Sequence, residues 1–489
     1  LKKGVSYASK GSADADAETT LRLDNRVDDP LIEIGRKEET AMAEIAPFQG
    51  LRYNPERIPN LSQVVIPPYD VISPQEQDIF YGCNPYNMIR LELGKATQED
   101  SENANPHTRA AGYLREWRKS GMLIRDDKPS LYYYELDYTV DPGFKKTRCG
   151  FLCLLRLEEL DSGRVRPHER TFQAVKDERL KLMLACHSNL SAVFALYSDP
   201  HELVDHTLKV SREGEPAMEF RDREGMEHRI WRVVDQQAFR TVRTLMKDKE
   251  VFIADGHHRY ETALNYRNIQ RECHPDAGSD APFEYIMVYL SNLTQGGLTI
   301  LPTHRLLRRL GSWSSAQFLK SAESFFDLEE YPASDSGYAK WSDALQTAGS
   351  RRETAIGFHF HRGSSFSLLR ARKEDIVAYL RQCGVPEVLH GLDVVVLDQV
   401  LLKRLLDLSD AFLADSGNIH FKHDLAEAVG DVRGGRYEAG FFINATRIEQ
   451  VREVAGAGLI MPHKSTYFYP KVGSGMVIQP IFHHERVSI

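Results

Sequence analysis

From Ile45 onward the chain consists of short apolar runs of strand length, separated by single helical segments in no regular order. Strands are expected over 131–138, 150–157, 192–198, 251–254, 284–290, 355–361 and 439–444. A hairpin over 218–234 turns at Arg223-Glu224-Gly225. Helical spacing falls at 110–119, 257–272, 315–325, 374–383, 395–408 and 447–455, with Asp393 expected to cap the fifth of these. Strands in runs broken by single helices point to a mixed α+β fold rather than a clean βαβ repeat. The runs YIMVYL and FLCLL fit buried strands, and neither approaches the roughly 18 residues of a membrane span.

The chain has 489 residues, enough for two or three domains at about 150 residues each. The least patterned joint falls over 292–302. We therefore expect a catalytic lobe over 42–295, with insertions, and a second α+β lobe over 296–489. Residues 1–41 hold one aromatic, Tyr7, and dense mixed charge, and are read as a disordered tail or a misplaced start before Met42. The six cysteines form no C-x-x-C pair. Cys149 and Cys153, four apart in a strand, would stand roughly 13 Å apart, too far to bridge. That usage, with no apolar signal-peptide core, favours a cytoplasmic setting. The net charge of −8 argues against a general nucleic-acid coat and leaves single phosphate pockets open.

The sharpest segment runs Val251-Phe252-Ile253-Ala254-Asp255-Gly256-His257-His258-Arg259. An apolar strand ends at Asp255, Gly256 permits a tight turn, and a helix opens with two histidines and an arginine. Free N–H groups at a helix start form an anion site. Arg259 can fork onto phosphate oxygens, Asp255 can hold Mg²⁺ or accept a hydroxyl proton, and either histidine can move a proton near neutral pH. The same residues also fit a plain helix cap followed by solvated histidines.

Three further segments carry chemistry-bearing groups. Arg166-Pro167-His168-Glu169-Arg170-Thr171 offers Glu169 as base or metal ligand, with His168 and Arg170 toward phosphate, or else a charged surface turn. In Pro67-Pro68-Tyr69-Asp70-Val71-Ile72-Ser73, the prolines present Tyr69 and Asp70 at a pocket edge, while Asp70 or Ser73 can cap the helix that follows. The segment 462–471 groups Lys464, Ser465 and Thr466 beside three aromatics, fit to grip phosphate and stack a base or to pack as a strand. It lacks the glycines of a P-loop. His359 and His361 alternate on a strand without a third metal ligand, and His483 and His484 read as solvated.

DGHHRYETALNYR resembles the hallmark of a bacterial and archaeal family of unknown function, placed with the ParB/sulfiredoxin-like superfamily. IAPFQGLRYNP, PPYDVIS, NPYNMIRLELG, RPHERTF, LPTHRLL and MPHKSTYFYPKVGSGMVI match it in order, over about 43–480. Sulfiredoxins place a catalytic cysteine where this chain has His257, so redox chemistry loses its nucleophile; Cys273 lies several turns further on. Free-serine kinases carry D-G-H-H-R, matched over 255–259. The resemblance implies a ParB/sulfiredoxin-like core, bound ATP or ADP, Mg²⁺ through Asp255 and Glu169, and phosphoryl transfer to a small hydroxylated metabolite, first of all free L-serine. Asp255, His257, His258, Glu169 and His168 are then catalytic, and Tyr69 and Asp70 line the substrate pocket. Gly256, Arg259, Arg170, Lys464, Ser465 and Thr466 bind phosphate or nucleotide. Two other functions use the same residues: a nucleotide-binding switch without small-molecule turnover, and hydrolysis of a phosphorylated metabolite. Nucleic acid and membrane are not expected partners.

Overall fold

The computed structural model describes residues 43–488 apart from Pro142, Arg170, Ser312 and Ser416, so the expected tail lies outside the described residues. Residues Ala41–Ile489 cluster as one compact unit. Its architecture is mixed α+β, built on two large sheets, and strands and helices occur at all the sequence positions expected for them.

Among the described residues the first sheet has nine strands. Their order is Val165–Arg166, Val251–Asp255, Val193–Tyr197, Tyr285–Asn292, Phe144–Arg156, Leu131–Asp141, Glu227–Val233 and Met218–Arg221, with Ile45–Ala46 added to Phe144–Arg156. Tyr285–Asn292 is buried along its whole length, which explains its unbroken apolar run. It pairs parallel with Val193–Tyr197 and antiparallel with Phe144–Arg156, so the sheet is mixed. Val251–Asp255 runs parallel to Val165–Arg166, with Val251 opposite Val165 and Phe252 opposite Arg166. Parallel pairing sends the chain out of both strands at the same sheet edge. The Gly256 turn and the Pro167-His168-Glu169 loop therefore start side by side.

Among the described residues the second sheet holds six strands, all paired antiparallel, in the order Phe326–Pro332, Ser365–Ala371, Ala355–Phe360, Ala439–Phe442, His304–Leu307 and Ile419–Lys422. One face packs its Phe366 and Phe442 against Trp341 of the helix Asp335–Ser350. After this sheet the chain returns to the first. The Met461 N–H donates to the His168 carbonyl at 3.0 Å, Tyr467–Tyr469 pairs with Thr299–Leu301, and Gln479–Pro480 pairs with Ser188–Asn189.

Several local expectations are corrected. Asp393 is the first residue of the helix Asp393–Val396 and follows the cap Leu392. The helix continues in wider turns over Leu397–Leu405, closed by bonds such as Leu406 N–H to the Leu401 carbonyl at 3.0 Å. His359 packs its ring 4.4 Å from Phe366 and sets Nδ1 3.0 Å from the Ser365 carbonyl, while His361 lies beyond the strand end at Phe360. The two therefore do not alternate on one strand as expected. His483 is not simply solvated, because its ring packs 4.4 Å from His274 and 5.5 Å from His187. No described helix is long and apolar enough to cross a membrane.

Candidate functional site

Two helices start at the edge where the parallel strands end. His257–Cys273 follows Gly256, whose φ of +90° suits a residue without a side chain. Gln173–Cys186 follows Phe172, and neither helix has a side-chain cap on its first N–H groups. The two starts adjoin, since the Phe172 N–H donates to His258 Nε2 at 2.9 Å. Two positive dipole ends thus face the same region.

Two carboxylates lie there, Asp255 on two cations and Glu169 on a backbone N–H and an imidazole. Asp255 takes the Lys471 ammonium on Oδ1 and Arg259 Nη2 on Oδ2, the latter at 2.7 Å. Burial pushes its carboxyl up, but Lys471 and Arg259 outweigh that and hold it at about 2. Glu169 Oε1 accepts the Lys464 N–H at 3.0 Å and lies 2.9 Å from His463 Nδ1. Burial again opposes ionisation, and the bond from His463 with the Lys464 charge draws Glu169 well below the usual carboxylate range. Lys464 itself sits in the left-handed region at φ 55°, with its ammonium 4.0 Å from Asp70 Oδ2. Burial lowers its proton affinity, but Asp70, Glu169 and Asp255 raise it further, so it stays charged.

Three histidines form the floor. The buried His168 sets Nε2 2.9 Å from Thr466 Oγ1, and its N–H donates to His257 Nε2 at 3.3 Å. The rings of His168 and His257 meet edge to face at 4.7 Å. Burial depresses all three imidazoles: His257 to about 3, with the neighbouring His168 adding to the effect, and His168 and His258 in the same direction. They are neutral at pH 7. Because Nε2 of His257 and of His258 each accepts a backbone N–H, the proton of each ring sits on Nδ1.

The expected residues thus converge, though not all with the orientation expected. Asp255, Gly256, His257, His258, Glu169, His168, Lys464 and Asp70 share one region. Arg259 belongs there but points inward, its guanidinium spent on Asp255 and the Ala192 carbonyl. Ser465 and Thr466 are buried braces: Ser465 Oγ donates to the Pro462 carbonyl at 2.5 Å, and Thr466 holds His168. The Tyr69 ring lies 4.1 Å beneath the Arg179 guanidinium. At the adjoining motif, Ser73 rather than Asp70 caps the helix Pro74–Cys83, in a reciprocal box with Glu76. Arg170 lies outside the described residues.

Sequence reading gave no role to Lys471 or His463, although both lie in the quoted 462–471 segment. Nor did it find His423, whose ring stacks 3.5 Å from Tyr467, or the buried Arg305, which donates to the His463 and Lys464 carbonyls. Arg305 lies on the second sheet within the quoted LPTHRLL motif, and His423 follows the strand Ile419–Lys422; neither carries a local signal of its partners at 463–467. The Mg²⁺ implied by the resemblance finds no built cage. No group of three His, Cys, Asp or Glu among the described residues is arranged to hold a metal, and both Asp255 oxygens are already on cations.

Fold and site together define a mixed α+β protein whose last segment completes a charged, histidine-floored site at the edge of its larger sheet. Residues 45–395 match the family described as "Protein of unknown function (DUF1015)", and the chain belongs to that family. No curated protein matches it. Among solved structures it is similar to a conserved hypothetical protein from Pyrococcus furiosus, at 11% identity over 68% of this chain and 97% of that one, TM-score 0.31. It is also similar to a free serine kinase variant in complex with AMP, at 12% identity over 65% and 87%, TM-score 0.31. A third is SbnI with C-terminal truncation from Staphylococcus aureus, at 9% over 67% and 86%, TM-score 0.29. Likenesses at this level carry no functional argument.

Proposed function

We propose that the protein is a nucleotide-dependent phosphotransferase acting on a small hydroxylated metabolite, with ATP or ADP as donor and free L-serine, giving O-phosphoserine, as the first acceptor to test. The observation that carries this reading is the convergence of two ammonium groups, Lys464 and Lys471, with two helix starts that lack side-chain caps, at Gly256 and Phe172. Such a set matches the spread negative charge of a transferring phosphoryl group. Serine comes first because of the D-G-H-H-R match at 255–259. In this reading the ParB/sulfiredoxin-like catalytic lobe spans 42–295, and the lobe from 296 contributes Lys464 and Lys471.

Each side chain then has a task. Lys464 and Lys471 neutralise phosphate oxygens, and the carboxylates that hold them also aim them: Asp70 and Glu169 for Lys464, Asp255 for Lys471. A carboxyl at about 2 is protonated roughly once in 10⁵ molecules at pH 7, so Asp255 is a poor general base. Asp255 and Glu169 therefore orient the acceptor hydroxyl, whose proton leaves late in a loose transition state and passes to an oxygen of the transferred phosphoryl group as the new O–P bond forms and the bond to the leaving nucleotide phosphate breaks. The neutral histidines keep the floor free of charge and hold the two loops in register.

Purified protein given ATP or ADP, Mg²⁺ and serine should yield phosphoserine by mass spectrometry, with Lys464→Met at least tenfold slower at unchanged Tm. Nucleotide binding without acceptor-dependent turnover would instead select the switch. Phosphate release from phosphoserine without nucleotide would select hydrolysis. If neither nucleotide binds by calorimetry, the phosphotransferase reading fails.

A further inference from the structure

Two arginines are buried without forming an ion pair among the described residues, and both hold the segment that carries the site lysines. Arg148, on the strand Phe144–Arg156 of the first sheet, is fully buried and donates through Nη1 to the Pro470 carbonyl. Its guanidinium lies 4.8 Å from the Phe194 ring and 5.3 Å from that of Tyr289. Arg305, on the strand His304–Leu307 of the second sheet, is 4% exposed and donates through Nη2 to the His463 carbonyl at 3.3 Å and the Lys464 carbonyl at 3.0 Å. Its Nη1 reaches the Thr303 carbonyl. Burial lowers Arg305 to about 10, the direction expected of a cation taken out of water without a counterion.

A buried guanidinium with no carboxylate partner is costly, and an apolar side chain of similar volume would suit the core better. The carbonyls that these two arginines hold explain why cations stand there. Pro470 immediately precedes Lys471. The His463 and Lys464 carbonyls flank the left-handed turn whose N–H grips Glu169. One arginine from each sheet thus fixes one end of the 463–471 stretch, and Thr446 Oγ1 holds the Ser465 carbonyl between them at 2.8 Å.

We propose that Arg148 and Arg305 are positioning residues that clamp this stretch from the two sheets, Arg305 fixing Lys464 and Arg148 fixing Lys471. The proposal rests on the functional reading above for why the lysines matter, but its test needs no ligand. Competitive acetylation of the full chain, read by mass spectrometry, compares Lys464 and Lys471 with the exposed Lys119 and Lys320 as internal references. In Arg148→Met, release of Lys471 from Asp255 should raise its relative rate about tenfold, the equivalent of losing a contact worth about 1.4 kcal/mol. Arg305→Met should raise Lys464 in the same way while leaving Lys471 less affected.

The conservative variants separate clamping from bulk packing. Arg148→Lys can still reach one carbonyl and should restore most of the Lys471 protection. Arg305→Lys keeps the charge but cannot hold the Thr303 carbonyl, bonded through Nη1, together with the two carbonyls bonded through Nη2, and should restore the Lys464 protection only in part. Unchanged relative rates in folded variants would overturn the proposal. So would loss of folding in all four, which would assign both arginines to the core of the fold alone. If the rates change as expected and no nucleotide binds, the clamp stands and the phosphotransferase reading falls.

Discussion

His257→Gln tests whether the floor of the site excludes protons. His257 is 5% exposed, and its Nε2 accepts the His168 N–H at 3.3 Å, a bond that a glutamine oxygen can also accept. Burial, with His168 beside it, takes the imidazole from 6.5 down to about 3. The sign follows from where the proton binds. Below about 6.5 the unfolded chain takes it up and the folded one does not, so acid favours unfolding. The contribution of His257 to stability is complete above the unfolded value and is lost progressively as pH falls toward the folded one. At pH 5 the unfolded histidine is protonated roughly thirty to one and the folded one hardly at all, a loss of about 2 kcal/mol; by pH 3 the loss reaches about 4 kcal/mol. Glutamine does not titrate. Urea unfolding of both proteins at pH 8 and pH 5 should therefore show the wild-type advantage over His257→Gln shrinking by about 2 kcal/mol on acidification. His168, His258 and the other depressed histidines are present in both proteins and largely cancel in the difference. A change below about 0.5 kcal/mol would mean that folded His257 binds protons nearly as water-exposed histidine does. The neutral-acceptor role assigned to it would then be wrong.

Other perturbations probe the frame around it. Asp255→Asn keeps the shape but leaves Lys471 and Arg259 facing a neutral amide, and should cost about 3 kcal/mol at pH 7 by urea unfolding. Because the Asp255 carboxyl is held at about 2, its stabilisation is intact above about 4 and fades as pH falls toward 2, so this cost should fade with it. Gly256→Ala forces a side chain onto a φ of +90° with its Cβ 2.8 Å from Arg259 Nε, and should lower stability by about 1–2 kcal/mol while displacing that guanidinium. Ser73→Ala breaks the reciprocal cap with Glu76 and should cost about 1 kcal/mol, with hydrogen exchange rising only in the first turn of Pro74–Cys83.

The parts of this protein that could be read from its sequence are those fixed by near neighbours in the chain. Tyr285–Asn292 was legible because burial on both faces leaves an unbroken apolar run, and the 255–259 turn because strand end, glycine and helix start are contiguous. Asp393 misled because a short polar residue before apolar ones is a capping signal, whereas the helix starts at Asp393 itself, with Leu392 as its cap. Partners distant in sequence left no trace of their pairing: Lys471 meets Asp255 across 216 residues, and His168 meets Thr466 across 298. Arg259 was aimed at a ligand in the sequence reading, and only the fold shows that Asp255 and the Ala192 carbonyl already occupy it.

The lysine segment shows the limit most clearly. In one continuous strand, positions seven apart point to opposite faces, so Lys464 and Lys471 should have been separated by the sheet. They reach one cluster of carboxylates, Asp70 and Glu169 for Lys464 and Asp255 for Lys471, because the strand is only Tyr467–Tyr469, and because Lys464 turns back through a left-handed φ of 55°. That turn is stabilised by the Glu169 carboxylate on one side and the Arg305 guanidinium on the other, contributed by two different sheets. A run of basic residues becomes a site here only through tertiary groups that hold the backbone out of its local preference. The geometry of Lys464 should therefore fail when those tertiary groups are changed, before any change in the lysine itself.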